Sequence, residues 1–268
     1  MTSVNSIAFG MNRIPALSRQ QGQTSALAYA APAGTDSVHF GAEHHKITGL
    51  ASIGQNGFFR KTPQQIFIKA IQKNDQPRVE QLLKDGIDIN CKDKWGYNGL
   101  VNALTYDHDD MARFLLDKGI DRNARDPQGD SALHVVVEPM RNYSPRTRCE
   151  LIRLIATPEN INMRDNFHYR TALFNSVQNG LDDASLELIN LGANARPADR
   201  DGMTTLMHAA WNDQAEVADA LIRSIPAGPD RRAFVNAQNK WHHTALHLAR
   251  NFQKKNAIAV LMQHGAQD

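Results

Sequence analysis

Histidines and aspartates are the residues of this chain best equipped for chemistry, and three settings place histidine among candidate partners. In "YDHDDM", Asp107, His108, Asp109 and Asp110 offer carboxylates and an imidazole in consecutive positions, a donor set that could hold a divalent metal. "WHHT" sets His242 and His243 side by side, and "TTLMHAA" sets His208 among small and apolar residues. Each has a plainer reading. Aspartates at the start of a helix favour its N-cap and the positive end of its dipole. Paired histidines at a turn tip need no ion, and a histidine beside Met207 and Ala209 fits an ordinary helix position. The chain has no GxSxG nucleophile elbow and no GxxxxGK[ST] phosphate loop. No catalytic set and no cofactor or metal site is therefore expected, and the histidines are assigned to framework.

Composition narrows the partner class. The chain has 268 residues, 41% hydrophobic and 22% charged, enough for a sizeable core. A formal charge of +2 is too balanced to imply nucleic acid or a membrane surface, so neither is expected. Cys91 and Cys149 lie far apart without CxxC spacing, which suggests a reducing compartment and a cytoplasmic location. No apolar run approaches the roughly 20 residues needed to span a bilayer.

Two regions differ in character. Residues 1–60 are rich in Ser, Gln, Gly, Ala and Asn without helical or strand periodicity, and a disordered leader is expected there. The first 35 residues hold Arg13 and Arg19 but no acid, and "SIAFG" is echoed by "SVHFG". Such a leader could be an untargeted tail. It also resembles the N-termini of effectors exported unfolded by bacterial needle-type systems, and it overlaps with organelle transit peptides. An exported effector that engages a host protein is accordingly the alternative to a cytoplasmic scaffold.

From Thr62 onward the sequence repeats. One apolar anchor recurs as Phe67, Leu100, Leu133, Leu173, Leu206 and Leu246, at separations of 33, 33, 40, 33 and 40. A second follows as Leu82, Leu115, Ile155, Leu188, Leu221 and Leu261, 15 residues after the first except in the third copy, where it is 22. The unit is 33 residues, enlarged by seven inside copy three and again after the second helix of copy five.

Around the first anchor, Leu206, Ala209 and Ala210 fall on one helical stripe, with alanines that allow close approach. "VADALI" repeats the stripe around the second. The connections, such as "WNDQ", are short enough to dictate an antiparallel helix hairpin. "DKWGYN", "DPQGDS" and "DRDGMT" precede the first helix, with Asp opening a turn, Gly free to take positive φ, and Ser or Thr available to cap. Gly86 and Gly119 suit the left-handed cap after the second helix.

The combined pattern resembles the ankyrin repeat, D-x-x-G-x-T-P-L-H-x-A-A followed by V-x-x-L-L-x-x-G-A, over residues 63–268. The resemblance implies an all-α solenoid of stacked helix-turn-helix units with β-turn-like tips, behind the disordered leader. Its six repeats are expected at about 63–92, 93–125, 126–165, 166–198, 199–238 and 239–268, with the first as N-terminal cap. Lys254, Lys255, Gln263 and His264 would face water on the last. The copies depart from the family in places. None keeps the proline before its anchor leucine, and only His134 and His247 occupy the family's histidine position. Tyr169 and His242 replace the turn glycine, predicting a different turn in repeats four and six. Repeat three ends in "ATPEN" without a capping glycine.

The resemblance implies a non-catalytic module that binds a protein or peptide through its tips and the concave face of its inner helices, and a monomer is the default. It also implies that His134 and His247 brace neighbouring loops. Trp95, Tyr97, Tyr106, Phe167, His168, Arg170, Trp211, Trp241, His243 and Phe252 map to the variable registers and are the expected contacts, because aromatic and Arg side chains dominate desolvated interfaces. Trp211 and Trp95 head that set, and His208 falls in a partly exposed register with no fixed role. The two insertions, "EPMRNYSPRTR" and "IPAGPDRRAF", lengthen loops; Arg141, Arg146, Arg148, Arg231 and Arg232 make them basic and suited to an acidic or phosphorylated surface, unless they are neutral drift.

Overall fold

A computed structural model describes residues 61–267; the expected leader, with its targeting and export alternatives, lies outside the described residues. The first hairpin shows how local sequence writes the unit. Thr62 accepts the Gln65 N–H while the Gln65 side chain accepts the Thr62 N–H, a capping box that starts α1 (Pro63–Gln72). Asn74 takes a left-handed φ of 57°, which turns the chain into α2 (Gln76–Lys84). The same plan continues through α3 (Gly99–Thr105) and α4 (Asp109–Asp117), α5 (Ala132–Val136) and α6 (Pro145–Ile155), α7 (Ala172–Gln178) and α8 (Asp182–Asn190), and α9 (Thr205–Trp211) and α10 (Ala215–Arg223). After α11 (Pro229–Val235) the last hairpin is α12 (Ala245–Asn251) and α13 (Lys255–Gln263).

The hairpin turn has a fixed chemistry. Asn74, Asp107, Gly180, Asp213 and Gln253 all adopt positive φ, and each lies seven residues after its anchor. Asn, Asp and Gly tolerate this region best, so a residue type that looks like generic loop polarity is a backbone requirement. Repeat three lacks the feature because its insertion replaces that turn.

The helices form two layers. Inner helices α1, α3, α5, α7, α9 and α12 each pack on the next, and outer helices α4, α6, α8, α10 and α13 do likewise. Every first and second anchor is buried in one continuous core. Small residues set the spacing: Ala103, Ala209, Ala210 and Ala249 are fully buried, and a Cβ on Gly99 would lie 2.8 Å from Cδ1 of Ile71.

Several expectations need correction. Tyr169 and His242 keep the glycine turn: each has φ 60°, in register with Gly96, Gly129 and Gly202. Tip hydrogen bonding evidently outweighs the Cβ penalty of the left-handed region. The second insertion is not a plain loop, since Pro229 opens the additional helix α11 against α10. The later half of the first is helical too, because Ser144 caps α6 and Pro145 occupies its first turn. In repeat three, Asn160 replaces the missing capping glycine; its buried side-chain amide donates to Ile155 O at 2.9 Å and Arg122 O at 3.2 Å. His264 does not simply face water: its Nε2 lies 2.7 Å from Asp219 Oδ1 on α10.

Leu206→Ala should lower unfolding free energy by about 2–5 kcal/mol, since a fully buried side chain between hairpins leaves a cavity. Thermal melting checks this, and an unchanged midpoint would contradict the packing register.

Candidate functional site

Each tip is built on one acceptor side chain. Asp93 Oδ1 accepts the N–H groups of Trp95 at 2.9 Å and Tyr97 at 3.0 Å, and Asp199 and Asn239 serve their own tips in the same way. Asp165 accepts from Phe167, His168 and Arg170. The acceptor curls the turn and aims the residues after it outward. Isolated β-bridges such as Lys92 with Asn98 and Ala198 with Thr204 close the base of the tips.

Neighbouring tips are then fastened together. Asn166 N–H donates to Gln128 O at 2.9 Å, and Lys240 N–H to Asp201 O at 3.1 Å. Buried His134 accepts the Ser131 N–H on Nδ1 at 3.1 Å and thereby keeps its proton on Nε2, which donates to Arg170 O at 3.1 Å in the next tip. Burial lowers its pKa, so it acts as a neutral bracket. His247 does not reach a neighbouring tip; its Nε2 meets Asn251 Nδ2 at 2.9 Å and its ring stacks on His243 at 4.4 Å. Met207, at the same register, accepts the Thr204 N–H on sulfur at 3.4 Å.

On this rigid base the expected contact residues separate into two groups. Trp95 is 56% exposed, Phe167 60% and Trp241 48% at the tips, with His168 exposed beside Phe167. Tyr106 at 49% and Phe252 at 46% stand at the far ends of their inner helices. The second group is held by the scaffold. Arg170 does not offer its charge outward: Nη1 donates to Gln178 at 3.0 Å, Nη2 pairs with Asp199 at 3.1 Å, and the guanidinium lies 5.1 Å from the Phe174 ring centre. Tyr97 and Trp211 are half-buried against the core, and Trp211 stacks on Phe252 at 4.5 Å. Trp211 is thus a supporting surface under Phe252 rather than the foremost contact. His243 is half-buried in its stack with His247.

The arginines of the insertions are likewise occupied. Arg148 is buried and donates to the carbonyls of Val136, Glu138 and Arg141, while Arg141 binds Thr105 O and Glu138. Arg146 pairs with Glu150 at 3.0 Å and Arg231 donates to Ile225 O at 2.7 Å. In place of an anion-binding loop, the longer connection in repeat three needs internal cations to satisfy its carbonyls.

Nor do the opening histidine motifs gather ligands. His108 is the N-cap residue of α4 with its Nε2 3.2 Å from Gln72 O, and Asp109 and Asp110 occupy the first helical turn. Among the described residues no group of three or more His, Cys, Asp or Glu could hold a metal ion. His208 is less ordinary than its register suggested. Its Nε2 is buried without a hydrogen bond, its ring meets Phe174 edge-on at 4.9 Å, and burial together with the Arg170 charge brings its pKa down to about 4.

One group escaped the sequence reading. Between repeats two and three lies a groove of about 290 Å³ walled by Trp95, Tyr97 and Tyr106, with Asp130 and Glu138 on its repeat-three side. Burial first, then the charges of Asp126, Asp165 and Glu138, push the Asp130 carboxyl up to about 7. The available signal was register: Asp130 occupies the position of Tyr97, Arg170 and His243, and is the acid in that row.

Stacked helix hairpins with hydrogen-bonded tips define a repeat solenoid whose recognition residues vary over a shared frame. Family models described as ankyrin repeats match residues 82–136 (many copies) and 143–233 (3 copies). The chain belongs to the ankyrin repeat family, whose repeats mediate protein–protein interaction and are typically non-catalytic. The 2-5A-dependent ribonuclease of Mus musculus is 44% identical over 63 residues, 23% of this chain and 9% of that protein. A putative ankyrin repeat protein of Acanthamoeba polyphaga mimivirus is 23% identical over 203 residues, 73% of this chain and 24% of that protein. The chain therefore spans less than a quarter of either curated relative's length. Among solved structures, an ankyrin repeat domain from Acinetobacter baumannii has a TM-score of 0.62 at 20% identity, covering 75% of this chain and 98% of its own. The ankyrin repeat domain of Bcl-3 gives 0.61 at 22%, covering 77% and 87%. A chain in the complex of a predatory endopeptidase with an immunity protein from Bdellovibrio bacteriovorus gives 0.57 at 23%, covering 74% and 97%.

The raised Asp130 carboxyl makes a pH prediction. Between its ordinary 3.8 and about 7 the folded chain keeps a proton that the unfolded chain has lost, so this site's stabilisation is present at acid pH and fades as pH rises through 7. His208 acts oppositely, its contribution fading as pH falls from 6.5 toward 4, and it cancels between variants that both retain it. Asp130→Asn should melt about 2–4 °C above the parent at pH 8, with the difference shrinking by pH 4. Equal midpoints at pH 8 would contradict the unpaired carboxylate.

Proposed function

We propose that this chain is a non-catalytic scaffold that captures a protein or peptide partner on its tips and inner-helix face. One observation carries the reading: Trp95, Phe167 and Trp241 stand exposed on three separate tips, while the framework residues beneath them are satisfied by internal hydrogen bonds. Large exposed aromatics on a rigid base supply contact area at little entropic expense, the property of binding hot spots. Phe252, supported by Trp211, and Tyr106 extend the same surface toward the other end of the inner helices. The Bdellovibrio neighbour comes from a protein–protein complex, which accords with this use of the fold. A reducing compartment belongs to the proposal as well. Cys91 and Cys149 are both free thiols, and burial raises both pKa values, Cys91 to about 11.

The test combines Trp95→Ala, Phe167→Ala and Trp241→Ala. The triple variant should melt within about 3 °C of the parent, because each side chain is exposed. In affinity capture read by mass spectrometry it should lose the proteins that the parent retains specifically. Equal capture by both would end the proposal.

A further inference from the structure

We infer that the groove between repeats two and three seats the lysine or arginine side chain of an extended segment in a protein partner, with Asp130 as the receiving carboxylate and Trp95, Tyr97 and Tyr106 as aromatic walls. This deepens the protein-binding reading and rests on it.

The charge of the groove is one-sided, and its internal cation is already taken. Asp93, Asp126, Asp130 and Glu138 line it against a single guanidinium, Arg141. That guanidinium pairs with Glu138, lies 4.0 Å from Asp107 and donates to Thr105 O. Two of the carboxylates have clear framework duties. Asp93 shapes its tip with Oδ1 and accepts the Asn102 amide on Oδ2 at 3.2 Å, and Asp126 Oδ1 accepts the Asp130 N–H at 2.8 Å.

Asp130 is different. Among the described residues its carboxylate has no ion pair and no side-chain hydrogen bond, although arginines flank it. Arg170 turns to Asp199 and Gln178, and Arg125 donates to the carbonyls of Gly129 and Arg164. A half-buried carboxylate that both neighbours decline remains available to an incoming cation, while it weakens the free protein.

The walls suit the same guest. An ammonium or guanidinium gains from an aromatic face as well as from a carboxylate. Trp95 already accepts a cation in this way, with Lys94 Nζ 4.2 Å from its ring centre. Specificity comes from the adjoining surface. Over repeat one, Lys61, Lys69, Lys92 and Lys94 line the next groove, which repels a run of positive charge. The fitting segment therefore carries one basic side chain for Asp130, with neutral or acidic residues toward repeat one.

The experiment selects binders to the full chain from a random linear-peptide phage library, then synthesises the winners with each Lys or Arg replaced by norleucine or left intact. The winners should share one basic position, and its loss should weaken binding about tenfold or more. Against Asp130→Asn, the intact and norleucine peptides should bind within about twofold of each other. Winners without a shared basic residue, or a norleucine penalty undiminished by Asp130→Asn, would overturn the inference. If binding of such winners nevertheless falls in the combined Trp95→Ala and Tyr106→Ala variant, the protein-binding reading stands without it. Failure to select any peptide, or binding indifferent to that aromatic variant, removes support for both.

Discussion

A single helix hairpin of this chain cannot bury its apolar stripe by itself, and the rest of the structure depends on that constraint. Leu206 and Leu221 become a core only when α7 and α8 cover one side and α12 and α13 the other. Because each unit is completed by its neighbours, spacing matters more than identity. Anchors repeat at 33 residues, alanines keep the helices close, and seven-residue additions are accepted only where they leave the stack intact. The inserted segments show the rule: one adds a loop and lengthens α6, and the other adds α11 beside α10.

The tips follow from the same economy of backbone satisfaction. One acceptor side chain ties each turn, and neighbouring tips share main-chain hydrogen bonds. That network holds Tyr169 and His242 in a conformation normally left to glycine. With the backbone satisfied from within, the outward residues carry little structural duty, so Trp95, Phe167 and Trp241 can stand in solvent. Asp130 lies at the opposite extreme, a charge placed where the frame gives it no partner. Stability is given up there, as happens where a surface serves binding.

Period, anchors, caps and tip registers were legible in the sequence because each depends on residues only three to seven positions apart. Thr204 as cap and Leu206 as anchor could be read directly. The non-glycine tips misled because the bonds that hold them come partly from the adjacent repeat. The exposed aromatics were likewise legible from register. Whether an aromatic or arginine in such a register faces outward was not, since Trp211 meets Phe252 and Arg170 meets Asp199 across repeat boundaries.

By itself, the sequence determined the repeat family, the helix pairs and the rows from which recognition residues are drawn, because local periodicity and turn chemistry specify a solenoid unit. Tertiary structure alone decided which members of those rows are spent on the frame and which remain available. Arg141, Arg148 and Arg170 are consumed by carbonyls and carboxylates that stacking brings to them, and Asp130 is left unpaired because the arginines around it are engaged elsewhere. The physical reason is that pairing energies depend on distances across repeats, and those exist only after the hairpins have packed.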